Sequence, residues 1–219
     1  IEAERLRADD LLHAILPVKV ADRLEHDRQQ TIADRFDSAT VLFADIVSFT
    51  ARSATLTPGD LVARLNQVFS RFDELSRRHG LEKIKTIGDA YMLAGGLPAP
   101  SADHAMRVAA MAQDMMSAAH ALRDGVWPGL ELRIGIHTGP VVAGVIGRSK
   151  FAYDVWGSTV NIASRLEGQC APGEVLISDA TRRLLGPEFD CRDPRQVELR
   201  GQGLTAVWTL AGGRARPAA

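Results

Sequence analysis

The order in which hydrophobic periodicity changes between Thr40 and His137 restricts the fold more than any other property of this chain. Val41–Ala44 is a run of four apolar residues, too short for a helix and suited to a buried strand. Thr57 offers an N-cap and Pro58 a first helical position, after which Leu61, Leu65, Val68, Phe72 and Leu75 form one stripe that ends near Gly80. Lys83–Ile87 and Ala90–Ala94 flank Gly88-Asp89, the signature of a tight hairpin. Ser101 is the expected cap of a second helix, with Ala105, Val108, Ala112, Met115, Ala119 and Leu122 facing inward. Leu132, Ile134 and Ile136 then alternate with Arg133, Gly135 and His137, as a strand with one buried face requires. Strand, helix, strand, strand, helix, strand is the order of an α+β fold with a ferredoxin-like βαββαβ core, an antiparallel sheet carrying its helices on one face.

A C-terminal α/β extension follows. Asp154–Gly168 holds a short helix, Val175–Ile177 a strand, Thr181–Leu185 another helix, and Val197–Leu210 a hairpin turning at Gly201-Gln202-Gly203. At the other end, Ile1–Leu16 reads as a charged helix with a narrow apolar seam, interrupted by Pro17 and resumed over Val18–Leu24. The expected division is a helical connector over 1–31, one catalytic unit over 32–212 and a disordered tail over 213–219. Because the chain starts at Ile1 inside a helical pattern, it reads as a segment cut from a longer protein with an upstream membrane or sensor domain.

With 219 residues, 46% of them hydrophobic, the chain can bury a substantial core. A formal net charge of −1 supplies no general attraction for nucleic acid or anionic lipid, so nucleic acid is not an expected partner. No apolar run approaches the eighteen or so residues of a membrane-spanning helix. Cys170 and Cys191 lack metal-ligand spacing and read as free thiols in a reducing compartment.

The chemistry is expected where strands end on carboxylates. Asp45 follows four apolar residues and precedes Ile46 and Val47, so a solvated loop explains it poorly. Asp89 occupies the hairpin turn. Two acids at the ends of neighbouring strands can share divalent cations, the simplest machinery for chemistry on a nucleotide phosphate. After Ile46 the chain turns toward a helix start whose free N–H groups could cradle phosphates. Asn161 and Arg165 lie four apart and share a helix face, a pairing suited to negative charge developing on phosphate oxygens.

Taken in order, FADIVSFT, LEKIKTIGDAYM, LRIGIHTGPVVAGVIG and YDVWGSTVNIASRLE resemble the catalytic domain of class III nucleotidyl cyclases, most of all the mammalian-type adenylyl cyclases of mycobacteria. The likeness covers Thr31–Leu210. It implies that Asp45 and Asp89 hold two Mg²⁺ or Mn²⁺ ions per site, helped by the backbone carbonyl of Ile46, and that the ribose 3′-hydroxyl of ATP attacks the α-phosphorus to give cyclic AMP and pyrophosphate. In that scheme Asn161 orients the ribose, Arg165 offsets charge on the α-phosphate, Arg133 binds phosphate, and Phe49 and Thr50 lie in the loop over the triphosphate. Lys83 and Asp154 read adenine, where guanylyl cyclases typically carry Glu and Cys. Arg200, in Leu199-Arg200-Gly201-Gln202-Gly203, stands where many relatives have a phosphate-contacting lysine.

The resemblance further implies a head-to-tail homodimer with sites at the interface, one subunit giving Asp45, Asp89 and Arg133, the other Lys83, Asp154, Asn161, Arg165 and Arg200. ATP and free thiols point to the cytoplasm, as a soluble protein or the cytosolic part of a membrane protein. Two rivals fare worse. A diguanylate cyclase or palm-type polymerase would need a GGDEF-like turn or its equivalent, which is missing. A non-catalytic nucleotide sensor would be expected to have lost a metal acid or the Asn-Arg pair, and both are kept.

Overall fold

The computed structural model describes residues 15–26, 31–147 and 151–211. Its elements run α1 (Val18–His26), β1 (Ala33–Ile46), α2 (Phe49–Ser53), α3 (Pro58–His79), β2 (Glu82–Ile87), β3 (Ala90–Gly95), α4 (His104–Leu122), β4 (Leu132–Ile146), β5 (Ala152–Trp156), α5 (Ser158–Gly168), β6 (Val175–Ser178), α6 (Asp179–Arg182), β7 (Cys191–Leu199) and β8 (Gly203–Leu210). The strands form one sheet in the order β2-β3-β1-β4-β6-β8-β7, with β5 paired to β4. Every pairing in the βαββαβ core is antiparallel, while β6 joins β4 in parallel and opens the C-terminal extension.

β1 is central, which accounts for its unbroken apolar run. Leu42, Ala44 and Ile46 point into the layer under α3 and α4, whereas Val41 and Phe43 point to the opposite face. α3 begins as expected, with the Thr57 hydroxyl accepting from the Asp60 N–H at 3.2 Å and Pro58 in the first turn. It stops at Gly80, whose φ of 62° a residue with a Cβ reaches only with strain.

Three features depart from the sequence reading. α4 starts at His104, not at Ser101: Asp103 is its N-cap residue, and the Ser101 hydroxyl donates to the Asp103 carboxylate instead. The second sheet face is also covered, because Leu16, Val20, Ala21 and Leu24 at α1, Tyr153 and Val155 of β5, and Ala163 of α5 pack against Val41, Phe43 and Met92. α1 is thus docked on the sheet, with Arg23 Nη1 donating to Asp34 at 2.5 Å. β5, whose five residues carry no strong alternation, was not foreseen as a strand. Residues 1–14 and 27–30 of the expected connector, and the expected disordered tail, lie outside the described residues. Among the described residues no helix is long and apolar enough to cross a membrane.

Candidate active site

Cross-strand register assembles the acidic centre. Asp45, next to last in β1, lies directly opposite Arg133 of β4, and Ala44 pairs with Tyr91 of β3, which brings the β2–β3 turn and Asp89 alongside. Arg133 Nη2 donates to Asp45 Oδ2 at 2.5 Å, while its Nε comes within 3.2 Å of Glu167 Oε1 on α5. That second contact lacks hydrogen-bond alignment, and neither atom finds another partner. Burial opposes the charge of Arg133, yet Asp45 and Glu167 together hold its guanidinium above the ordinary value.

Glu167 was not singled out from sequence. It reaches this centre because α5 lies directly on β4 at Gly135, where a Cβ would fall 2.1 Å from the Glu167 nitrogen and 2.4 Å from the Ala163 oxygen. The one available signal is its place two residues beyond Arg165, which sends it to the opposite side of the helix. Burial first, then the charge of Asp45, pushes its carboxyl up to about 7.

Asp89 is pushed up to about 6 by burial and by a hydrogen bond and charge from Asp45. Two carboxyl groups side by side present the oxygen donors and concentrated negative charge that suit a hard divalent cation. Among the described residues no three His, Cys, Asp or Glu side chains form a closed metal cage. A two-carboxylate platform fits Mg²⁺ or Mn²⁺, which keep positions open for water and substrate phosphates. Ile46 ends β1 with its side chain in the core, immediately after Asp45.

A second polar pair sits where β2 meets β5. Lys85 Nζ donates to Asp154 Oδ2 at 2.5 Å, and Asp154 Oδ1 also accepts the Val155 N–H. The expected pairing of Lys83 with Asp154 is therefore corrected. Lys83 turns to the opposite face of the sheet, where it contacts Asp73 of α3 at 2.7 Å and lies 5.3 Å from the centre of the Tyr91 ring. A β-bulge is the cause. Lys83 pairs with Leu93 and Lys85 with the adjacent Met92, leaving Ile84 as the extra residue. Leu93 faces α3 and α4 while Met92 faces the other layer, so two lysines that regular alternation would place together are parted.

Asn161 is exposed on α5, and Arg165 sits one turn further on, its Nη1 3.9 Å from the position of a Cβ on Gly201. Arg165 thus stands beside the β7–β8 turn that carries the exposed Arg200. No ion pair or hydrogen bond among the described residues joins Asn161, Arg165 or Arg200 to the Asp45–Asp89 centre. Phe49, half-buried, packs on Trp127, ring centres 6.2 Å apart, and so anchors α2. Thr50 is exposed, its carbonyl accepting from the Ser53 hydroxyl.

The family model described as the adenylate and guanylate cyclase catalytic domain matches residues 31–212. The chain belongs to this family. An adenylate cyclase of Mycobacterium tuberculosis (strain ATCC 25618 / H37Rv) is 44% identical over 212 residues, which is 97% of this chain and 48% of the relative. The guanylate cyclase soluble subunit beta-2 of Rattus norvegicus is 39% identical over 209 residues, 94% of this chain and 30% of that protein. The domain spans about half the length of the adenylate cyclases it matches. Among solved structures, the guanylate cyclase domain of RhGC from Catenaria anguillulae in complex with GTP superposes with a TM-score of 0.79 at 33% identity, covering 83% of this chain and all of that one. The adenylyl cyclase CyaB from P. aeruginosa gives 0.78 at 30% identity, covering 83% and 97%. Both kinds of cyclase lie at similar distance, so the purine specificity of this cyclase domain must be argued from its own residues.

Proposed function

We propose that this domain is an adenylyl cyclase that converts ATP into 3′,5′-cyclic AMP and pyrophosphate. The Lys85–Asp154 contact at 2.5 Å carries the choice of ATP. Adenine offers an acceptor at N1 and a donor at its 6-amino group, which an ammonium and a carboxylate meet; guanine reverses both polarities. The two groups lie close enough to address neighbouring atoms of one base edge.

Asp45 and Asp89 would hold two Mg²⁺ or Mn²⁺ ions. Bound there, the cations supply the Lewis acidity that favours the alkoxide form of the ribose 3′-hydroxyl and neutralise charge on the phosphates. Arg133, held between Asp45 and Glu167, is placed to take up a phosphate oxygen. Asn161 orients the ribose so that its 3′-oxygen lies in line with the α-phosphorus and the leaving pyrophosphate. Arg165, with Arg200 beside it, offsets charge that builds on the α-phosphate and the leaving group.

Among the described residues no hydrogen bond or ion pair joins the acids to the Asn161–Arg165 face, which favours sites completed by a second copy arranged head to tail. The β4–β5 hairpin supports this reading, since Val142, Ile146, Phe151 and Trp156 leave an apolar face open, Ile146 being 58% exposed. A regulatory domain, at a membrane or soluble, joined ahead of α1 in the intact protein, and a cytoplasmic site of action where ATP is found, complete the proposal.

The test is to incubate the protein with Mn²⁺ and either ATP or GTP, and to identify the product chromatographically. Cyclic AMP is the expected product, and Lys85→Glu with Asp154→Cys should move the ATP:GTP preference toward GTP by about 10²-fold or more. Absence of a cyclic nucleotide would refute the enzyme, and an unchanged preference in the double variant would refute the base-reading pair.

A further inference from the structure

We infer that Asp73 and Lys83 form a register clamp on β2 that determines which lysine faces Asp154, and thereby the preference for ATP over GTP, without touching the nucleotide. The inference rests on the base-reading role proposed above for Lys85 and Asp154.

β2 is an edge strand, bonded along the sheet to β3 alone. None of its six residues is fully buried, so the hydrophobic pattern that normally fixes register is weak here. It also contains a bulge, whose position decides which face every later residue takes. A slip of one residue would present Ile84 or Thr86 to Asp154 in place of Lys85. Something beyond the ladder must hold the alignment.

Asp73 supplies it. Its carboxylate accepts the Tyr91 hydroxyl at 2.7 Å and the Lys83 ammonium at 2.7 and 2.8 Å, one oxygen serving both and the other Lys83 alone. Tyr91 is fully buried on β3, wedged by Phe69 and Phe72 of α3 at 5.7 and 5.6 Å between ring centres. Three elements are thus tied at one carboxylate, from a fixed ring on β3 to a helix and to the residue just before the bulge. With Lys83 pinned to the helix face, the bulge has to fall at Ile84, and Lys85 has to emerge on the face of Asp154. Asp73 and Lys83 are positioning residues, acting through Lys85.

The test is the ratio of kcat/KM for ATP to that for GTP in Lys83→Met, Asp73→Asn, the double variant and the charge-exchanged Asp73→Lys/Lys83→Asp, with Lys85→Ala as reference. Lys83→Met keeps the aliphatic stem over Tyr91 and removes only the charge. Each single variant is expected to lower the ratio about fivefold, the scale one half-exposed ion pair supports. The double variant should be no worse than either single one, and the exchange should restore part of the loss. In parallel, the cross-strand NMR contact between Lys85 and Met92 should weaken in Lys83→Met. An unchanged ratio, or an undiminished contact, alongside a collapsed ratio in Lys85→Ala would overturn the clamp alone. An unchanged ratio in Lys85→Ala would overturn the base-reading pair and the clamp with it.

Discussion

Burial holds the imidazole of His137 down to about 4, against 6.5 in the unfolded chain, and Ser178 is its hydrogen-bond partner at 2.7 Å. Hydroxyls continue from there through Thr181, Thr138 and Thr40 to His104, whose ring is also held below its ordinary value by burial. Such a chain satisfies buried polar groups across β6, β4 and β1 only while both rings are neutral or donate in the right sense. Since the folded value for His137 is the lower one, protonation favours the unfolded state. The stabilisation is complete above pH 6.5 and is lost as pH falls toward 4. Urea unfolding of parent and His137→Gln at pH 7 and pH 4.5 should differ in their acid-induced loss by about 2 kcal/mol, the parent losing more. Equal losses would mean that the ring does not carry this acid sensitivity.

At the scale of elements, α5 is the piece on which the site turns. It presents Glu167 to Arg133 on one side and Asn161 with Arg165 on the other, and Gly135 permits its close seat on β4. Gly135→Ala would set a methyl 2.1 Å from the Glu167 nitrogen, and backbone cannot swing aside as a flexible side chain would. The expected cost is about 3 kcal/mol, read as a lowered denaturation midpoint, with turnover falling because both faces of α5 shift together. A parental midpoint in Gly135→Ala would show that the packing is looser than these distances imply. The helices themselves were legible in advance: Thr57-Pro58 and Gly80 bracket α3, and the inward stripe of α4 is as read. The start of α4 was not, because Ser101 has the right chemistry for a cap, and only the loop geometry assigns that position to Asp103.

At the scale of the whole molecule, the proposed site draws its acids from one subunit and Asn161 with Arg165 from another. Asp45→Ala and Asn161→Ala should each be nearly inactive alone, the latter by about 10²- to 10³-fold in turnover at saturating ATP. Mixing the two variants is expected to restore activity, since a heterodimer has one site with both sets of groups intact. Heterodimers demonstrated by differential tagging but without recovered cyclic AMP synthesis would argue that each subunit works alone. The docking of α1 belongs to this scale too. Its buried Val20, Ala21 and Leu24 make the segment read as a connector part of the folded unit, with Arg23 fastened to Asp34 at the root of β1.

What the sequence by itself determined was local or periodic. It specified the element order, the central apolar strand that carries Asp45 near its end, the turn that holds Asp89, and the motifs from FADIVSFT to NIASRLE that carry family membership. These are legible because strand and helix periods, caps and turn residues are encoded within a few positions of each other. Only the tertiary structure decided which lysine meets Asp154, because a one-residue bulge reverses the face of every residue beyond it and leaves no mark in composition or spacing. It likewise decided that Glu167 joins Asp45 and Arg133, which depends on a glycine thirty-two positions away allowing two backbones to touch. Faces follow from local pattern, but the pairing of long side chains across faces follows from register and close approach, and those are properties of the partner strand and helix.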